Sequence, residues 1–170
     1  MTATMLLARK KRLRTVAPQD AIWVELEVPF HDVDALSVVW HGWYFKYFEL
    51  ARSALFRAHS IDASDLAPLG LAMYVIETQS RHLRPLRYGD RFQVAAWFSE
   101  YTPRIEVSYE IRKGDETRVA QGRTVLVTLQ ISPQKPEESQ MLLETPPVLL
   151  ERMRGPRKAV LGAHVPGASK

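Results

Sequence analysis

Asp34 and His41, seven residues apart, are the side chains whose types and spacing best suit chemistry. Asp34 lies in the run Phe30-His-Asp-Val-Asp-Ala-Leu-Ser-Val-Val-Trp-His-Gly-Trp-Tyr44, which leads into an apolar segment of helical period. The first backbone N–H groups of a helix have no partner inside it and carry partial positive charge. A carboxylate beside such a helix start suits attack on a carbonyl. The carboxylate attacks or activates water, and the N–H groups near His41 and Gly42 hold the developing oxyanion. The reaction so suggested is acyl transfer to water. An aspartate ahead of a helix also serves as a cap or dipole partner, and on residue type alone that reading of Asp34 stays open. Asp32 reads as a loop-fixing acceptor, or as a second carboxylate close enough to raise one pKa.

These residues need a strand to deliver the loop and a helix to follow it. Ile22, Val24, Leu26 and Val28 alternate with Trp23, Glu25, Glu27 and Pro29, the pattern of a strand with one covered face. Tyr44, Tyr47, Phe48, Ala51, Leu55 and Ala58 recur at helical spacing, and Lys46, Glu49, Ser53 and Arg57 leave a narrow polar stripe. A helix this apolar must be wrapped. Residues 60–70 are turn-rich, with one short helical turn capped by Asp62 or Ser64. Strands are predicted over 72–83, 91–101, 105–112 and 117–132, with a hairpin turn at 113–116; Ile105 to Arg112 alternates strictly, as a half-buried antiparallel strand does. Strand, long helix and four closely connected strands give an α+β fold, one antiparallel sheet curled round one central helix. Pro146 to Met153 reads as a short helix begun by proline. The expected organisation is a flexible basic arm over 1–20, one domain over 21–153 and a disordered tail over 154–170.

At the central stretch the sequence resembles the hot-dog-fold acyl-CoA thioesterases of the 4-hydroxybenzoyl-CoA thioesterase type, including the Tol-Pal-associated members. Their pattern, roughly aromatic-x-Asp-x-Asp-Ala-Gly-Gly-Val-Val-Tyr-His-Ala-Asn-Tyr-x-x-Phe-Phe-Glu-x-Ala-Arg, is met here by Phe30 to Tyr44 and by Tyr47-Phe48-Glu49 and Ala51-Arg52. Arg84-Pro85-Leu-Arg-Tyr-Gly89-Asp90 and Ala120-Gln-Gly122-Arg-Thr124 extend the similarity more weakly over about residues 22–132. The resemblance implies a hot-dog fold, no cofactor, Asp34 as catalytic carboxylate and the His41 backbone N–H as the carbonyl-polarising group. It also implies a dimer joined sheet edge to sheet edge, commonly paired into a tetramer, with the active site between subunits. The expected substrate is the thioester of an acyl-CoA or of an acyl carrier protein.

The chain departs from that pattern at Leu36-Ser37, where glycines are common, and at Trp43, where asparagine is common. Leucine in place of glycine reshapes the pantetheine entrance. Ser37 and Gly42 could serve the carbonyl or pantetheine, or simply shape turns. Trp40, Trp43, Tyr44 and Phe48 could line an acyl tunnel or belong to the core. Arg84, with Arg81, His82 and Arg87, forms a basic edge that could meet substrate phosphates or stay solvated. Glu49 and Arg52 read as an ion pair. Two alternatives stand beside thioester hydrolysis: a non-catalytic acyl-thioester binding or scaffold protein in which Leu36 and Trp43 have closed the site, and a hot-dog dehydratase. The His-Phe-Pro loop usual in those dehydratases is missing.

With 170 residues, 46% of them hydrophobic, the chain suits one domain with a substantial core. It has no cysteine, so thiolate nucleophiles, disulfides and cysteine metal sites are excluded, in keeping with a cytoplasmic location. Neither an export signal nor a membrane span is expected, nor a metal site or a serine-hydrolase motif. The net charge of +4 is concentrated at the two ends, which read as solvated basic tails rather than a nucleic-acid surface.

Overall fold

The computed structural model describes residues 13, 16–114 and 116–164; the rest of the basic arm and the last six residues lie outside that range. Strand β1 (Ile22–Glu27) is followed by helix α1 (Trp43–Ala58), the short helix α2 (Ala63–Leu66) and four strands, β2 (Leu71–His82), β3 (Arg91–Glu100), β4 (Ile105–Lys113) and β5 (Thr117–Gln130). Two-residue strands β6 (Gln140–Met141) and β7 (Ala163–His164) flank helix α3 (Pro147–Arg154). The strands form one antiparallel sheet in the order β2-β5-β4-β3-β1-β7, with β6 added to β5. This is the expected α+β arrangement of a hot-dog fold: a curled sheet around one long helix.

The predicted apolar face of α1 is its buried face, for Tyr44, Tyr47, Phe48, Ala51, Leu55 and Ala58 are each at most 3% exposed. Phe48 stacks on Tyr109 of β4 at 4.7 Å, and its ring occupies the space above Gly122 of β5. A Cβ built on Gly122 falls 2.3 Å from that ring. The Gly122→Ala variant is therefore expected to lose about 1–3 kcal/mol of stability, measured by urea unfolding, because neither the stacked ring nor the strand can retreat freely.

Two expectations are corrected. Strand β4 is buried on both faces rather than one: Glu106, Ser108 and Glu110 are at most 5% exposed. Glu106 pairs with Arg123 at 3.0 Å, and Glu110 pairs with Arg112 and accepts from the Ala17 N–H at 3.1 Å. Arg112 in turn covers Trp23, so β1 also hides residues on its supposedly open side. Polar letters at alternate positions signalled ion pairs, not solvent. The second correction concerns the tail, since residues 154–164 are held to the body rather than disordered: Arg157 pairs with Asp20 at 3.0 Å, Lys158 N–H donates to the Ala58 carbonyl at 2.8 Å, and β7 pairs with β1. The short helix begins as expected, with Asp62 and Asp65 forming a reciprocal capping box. No helix among the described residues is long and apolar enough to cross a membrane.

Candidate active site

Val33 and Val39 pair across a tight hairpin that carries Asp34. The Ser37 N–H donates to the Asp34 carbonyl at 2.9 Å, and the Asp34 N–H donates to the Val38 carbonyl at 2.8 Å. Ser37 adopts the left-handed φ of 59°. A turn followed by a left-handed residue is the three-residue hairpin in which glycine is favoured. Leu36 N–H donates to one Asp34 carboxylate oxygen at 2.8 Å, fixing the side chain to its own turn. Because a serine Cβ is crowded at positive φ, Ser37→Gly is expected to raise stability by about 0.5–1 kcal/mol, read as an upward shift in melting temperature.

The hairpin is pinned at its base by Asp32, whose side chain is fully buried. Lys46 Nζ reaches both of its oxygens at 2.7 Å, and the Tyr47 hydroxyl donates to one at 2.6 Å. Burial pushes the Asp32 carboxyl pKa up, but the Lys46 ammonium and the Tyr47 hydroxyl outweigh it and hold the group below its ordinary value. The Asp32 carbonyl accepts from Trp40 N–H at 3.0 Å, and the Val39 N–H donates to the Leu86 carbonyl at 2.8 Å. The chain thus enters α1 along a fixed path. Among the described residues, no hydrogen bond engages the backbone N–H of His41 or Gly42.

One cavity of about 370 Å³ is lined by Asp34, Val38, Val39, His41, Tyr44, His82, Leu83, Arg84 and Pro85. It brings together four of the residues singled out in the sequence: Asp34, His41, Tyr44 and Arg84. It does not include Ser37, Trp40, Gly42 or Trp43. Ser37 and Trp40 face outward, the Trp40 ring lies over Gly42, and Trp43 packs edge-on against Trp40 at 6.0 Å with Lys46 over its face. Of the aromatic row only Tyr44 lines this cavity, and Phe48 is core. Leu36 is 78% exposed and does not line this cavity.

His82 is the residue that sequence reasoning left among the basic edge. Its ring meets Tyr44 edge-on at 4.4 Å, and its Nε2 lies 3.0 Å from the Ser80 hydroxyl. Burial, with the nearby His41, lowers its pKa, favouring the neutral imidazole. The available signal was its position at the end of β2, on the face that turns towards the helix start. Tyr44 accepts from the Leu86 N–H at 3.3 Å, and burial together with Asp90 raises its phenol pKa, so it stays protonated. The basic edge is split: Arg84 lines the cavity, while Arg81 and Arg87 are exposed outside it. Glu49 and Arg52 do pair, at 2.9 Å. Among the described residues, no cluster of His, Cys, Asp and Glu has the makings of a metal site.

The chain is similar to known proteins over this same region. The profile of the family described as "Thioesterase superfamily" matches residues 36–120, half of the 170 residues, beginning just after Asp34. A Bacillus subtilis protein named "Putative acyl-CoA thioesterase YneP" is 29% identical over 77 residues, covering 45% of this chain and 56% of that protein. An Aquifex aeolicus protein named "Putative esterase" is 34% identical over 67 residues, covering 39% and 52% respectively. The matches thus span about half the length of these two curated relatives. Among solved structures, the 1,4-dihydroxy-2-naphthoyl-CoA thioesterase of Synechocystis superposes with a TM-score of 0.64 at 18% identity, covering 78% of this chain and 95% of that one; at that identity it shows the shared fold. A carboxylate on a hairpin, an unpaired helix start and the curled sheet that joins them lie within or beside the matched span, and the chain belongs to the thioesterase superfamily.

Proposed function

We propose that this chain hydrolyses an acyl thioester, carried on CoA or on an acyl carrier protein, with Asp34 as its catalytic carboxylate. The observation that carries this reading is the single cavity in which Asp34 meets the start of α1 at His41. Asp34 takes a proton from water as the water oxygen attacks the thioester carbon, or attacks that carbon itself to form a mixed anhydride that water then hydrolyses. The unpaired N–H of His41, at the start of α1, receives the oxyanion. In either route the carbon–sulfur bond breaks, the sulfur ends with a proton from the water consumed, Asp34 is left ionised, and a carboxylic acid and a thiol remain. His82 and Tyr44, both neutral, shape the wall, and Arg84 supplies positive charge where a phosphopantetheine arm enters.

The working unit is a homo-oligomer, dimer or tetramer, and its setting is the cytoplasm. Strand β2 supports self-association: it ends the sheet and leaves Tyr74 63% and Ile76 45% exposed along an open edge. A thiol-reactive dye assay across short, long and aryl acyl-CoAs and one acyl carrier substrate tests the reading. At least one thioester is expected to release thiol. Binding of an acyl thioester with no release from any of them would instead identify a non-catalytic binding protein.

A further inference from the structure

Fourteen large hydrophobic side chains stay exposed among the described residues, and five of them belong to the two segments that meet at the Asp34 cavity. Phe30, Leu36 and Trp40 come from the segment that carries Asp34, and Leu83 and Tyr88 from the one that follows β2; their exposures run from 42% to 78%. Backbone bonds hold the two segments side by side. Val28 N–H donates to the Asp90 carbonyl and Gly89 N–H to the Val28 carbonyl, both at 3.0 Å, next to the Val39–Leu86 bond already described. Phe30 and Tyr88 meet edge-on across the seam at 5.7 Å. Leu36 N–H holds the Asp34 carboxylate, the Trp40 ring lies 4.9 Å from that of His41, and Leu83 lies on the cavity wall itself. So concentrated an apolar rim around a reaction site is a contact surface rather than scattered exposure.

The rim carries charge of one sign. Residues 30–40 and 81–88 hold two carboxylates, Asp32 and Asp34, against Arg81, Arg84 and Arg87. Asp32 is fully buried against Lys46 and Asp34 lines the cavity, so neither is displayed on the rim. Asp90, just beyond, is held by Lys113 at 2.7 Å. Arg84 and Arg87 are exposed, and among the described residues neither has a carboxylate within ion-pair distance. Their guanidinium groups are left to recognise carboxylates from elsewhere.

We infer that this rim docks an acidic carrier protein, which lays an amphipathic surface across Leu36, Leu83 and Tyr88 and its carboxylates on Arg84 and Arg87 while its phosphopantetheine arm enters the Asp34 cavity. The inference rests on the thioesterase reading above, and it selects the carrier-bound thioester over the CoA-bound one. The nucleotide phosphates of CoA use the arginines but leave the leucines and Phe30 bare, whereas an acidic amphipathic helix satisfies both. A second copy of this chain fits poorly, because a two-fold contact lays the rim on itself and sets arginine against arginine. An anionic lipid surface takes the same groups, but it brings no phosphopantetheine and so gives no reason for them to ring the Asp34 cavity.

The test uses the full-length protein and the acidic acyl carrier protein of fatty-acid synthesis from the same source. Thiol release is measured for one acyl group, the fastest in the screen above, carried on pantetheine, on CoA and on that carrier. The carrier thioester is expected to show a kcat/KM about tenfold or more above that of the CoA thioester. Arg87→Glu and Tyr88→Glu, whose side chains lie outside the Asp34 cavity, are checked for folding by thermal melting. Each should lower kcat/KM for the carrier thioester by about tenfold or more and leave the uncharged pantetheine thioester unchanged. Independently of turnover, the holo-carrier, labelled with fluorescein at its amino terminus, should bind by fluorescence anisotropy, and more weakly to both variants and in added salt. A CoA thioester used as fast as the carrier thioester, or a carrier rate unmoved by both variants, would overturn the inference and leave the thioesterase reading standing. No hydrolysis of any thioester, with carrier binding that both variants weaken, would overturn the thioesterase reading and retain the docking surface. A carrier that fails to bind ends the inference. A smaller assembly of the variants on size exclusion would then give the rim to a second copy, and binding to phosphatidylglycerol vesicles would give it to a lipid surface.

Discussion

Asp34→Asn should lower thioester hydrolysis by about a thousandfold while moving the melting temperature by no more than a degree or two. Positioned proton transfer contributes about 10²–10⁴ to a rate, and asparagine can neither accept the proton from water nor attack the acyl carbon. Asparagine does keep the side-chain oxygen that accepts from Leu36 N–H at 2.8 Å, so the hairpin retains its internal bond. Asp34→Ala removes that bond too and should cost a further ~0.5–1.5 kcal/mol of stability. Thiol release and thermal melting on the two variants separate chemistry from architecture. Turnover by Asp34→Asn close to that of the unsubstituted protein would remove Asp34 from its role.

The largest stability effect is expected two residues earlier. Asp32→Ala strips Lys46 and the buried Tyr47 hydroxyl of their shared partner and should cost about 2–4 kcal/mol. The figure is held below that for a wholly buried pair because Lys46, about one-third exposed, can turn to water. The sign of the pH dependence follows from the lowered Asp32 pKa. A carboxyl held below its unfolded value near 3.9 stabilises the fold above that value, and the stabilisation is lost as pH falls through the folded pKa. Urea unfolding at pH 7 and at about pH 3 checks this: the gap between the unsubstituted protein and Asp32→Asn should narrow at the acid end. A gap that stays constant with pH would show that Asp32 contributes through packing and not through its charge.

Much of the fold was legible because α1 and the strands announce themselves by period. The six apolar positions read at helical spacing are all among the eight buried residues of α1, which Ala54 and Phe56 complete. Strands 72–83, 91–101, 105–112 and 117–132 differ from β2 to β5 by two residues or fewer at either end. Misread was what lies behind β4. Its glutamates carry the same alternation as solvent-facing residues, yet arginines from β4 and β5 meet them under cover. A sequence shows that a residue is charged but not whether its partner arrives from a distant strand.

The site divides along the same line. Asp34, its hairpin and the helix start were fixed by residues close in sequence, because turns and helix N-termini are built from local hydrogen bonds. Asp32 was recognised as an acceptor, but its partners, 14 and 15 residues onward, were brought to it by the helix. His82 and Arg84 join the cavity only because β2 runs back along α1, while Trp40 is exposed and Trp43 packs against the core, so neither lines it. Local order therefore determined the carboxylate and its helix, since short-range sterics and hydrogen bonds suffice for both. Long-range packing alone decided the walls, the second histidine and the rim around them, since none of these exists until the sheet has curled.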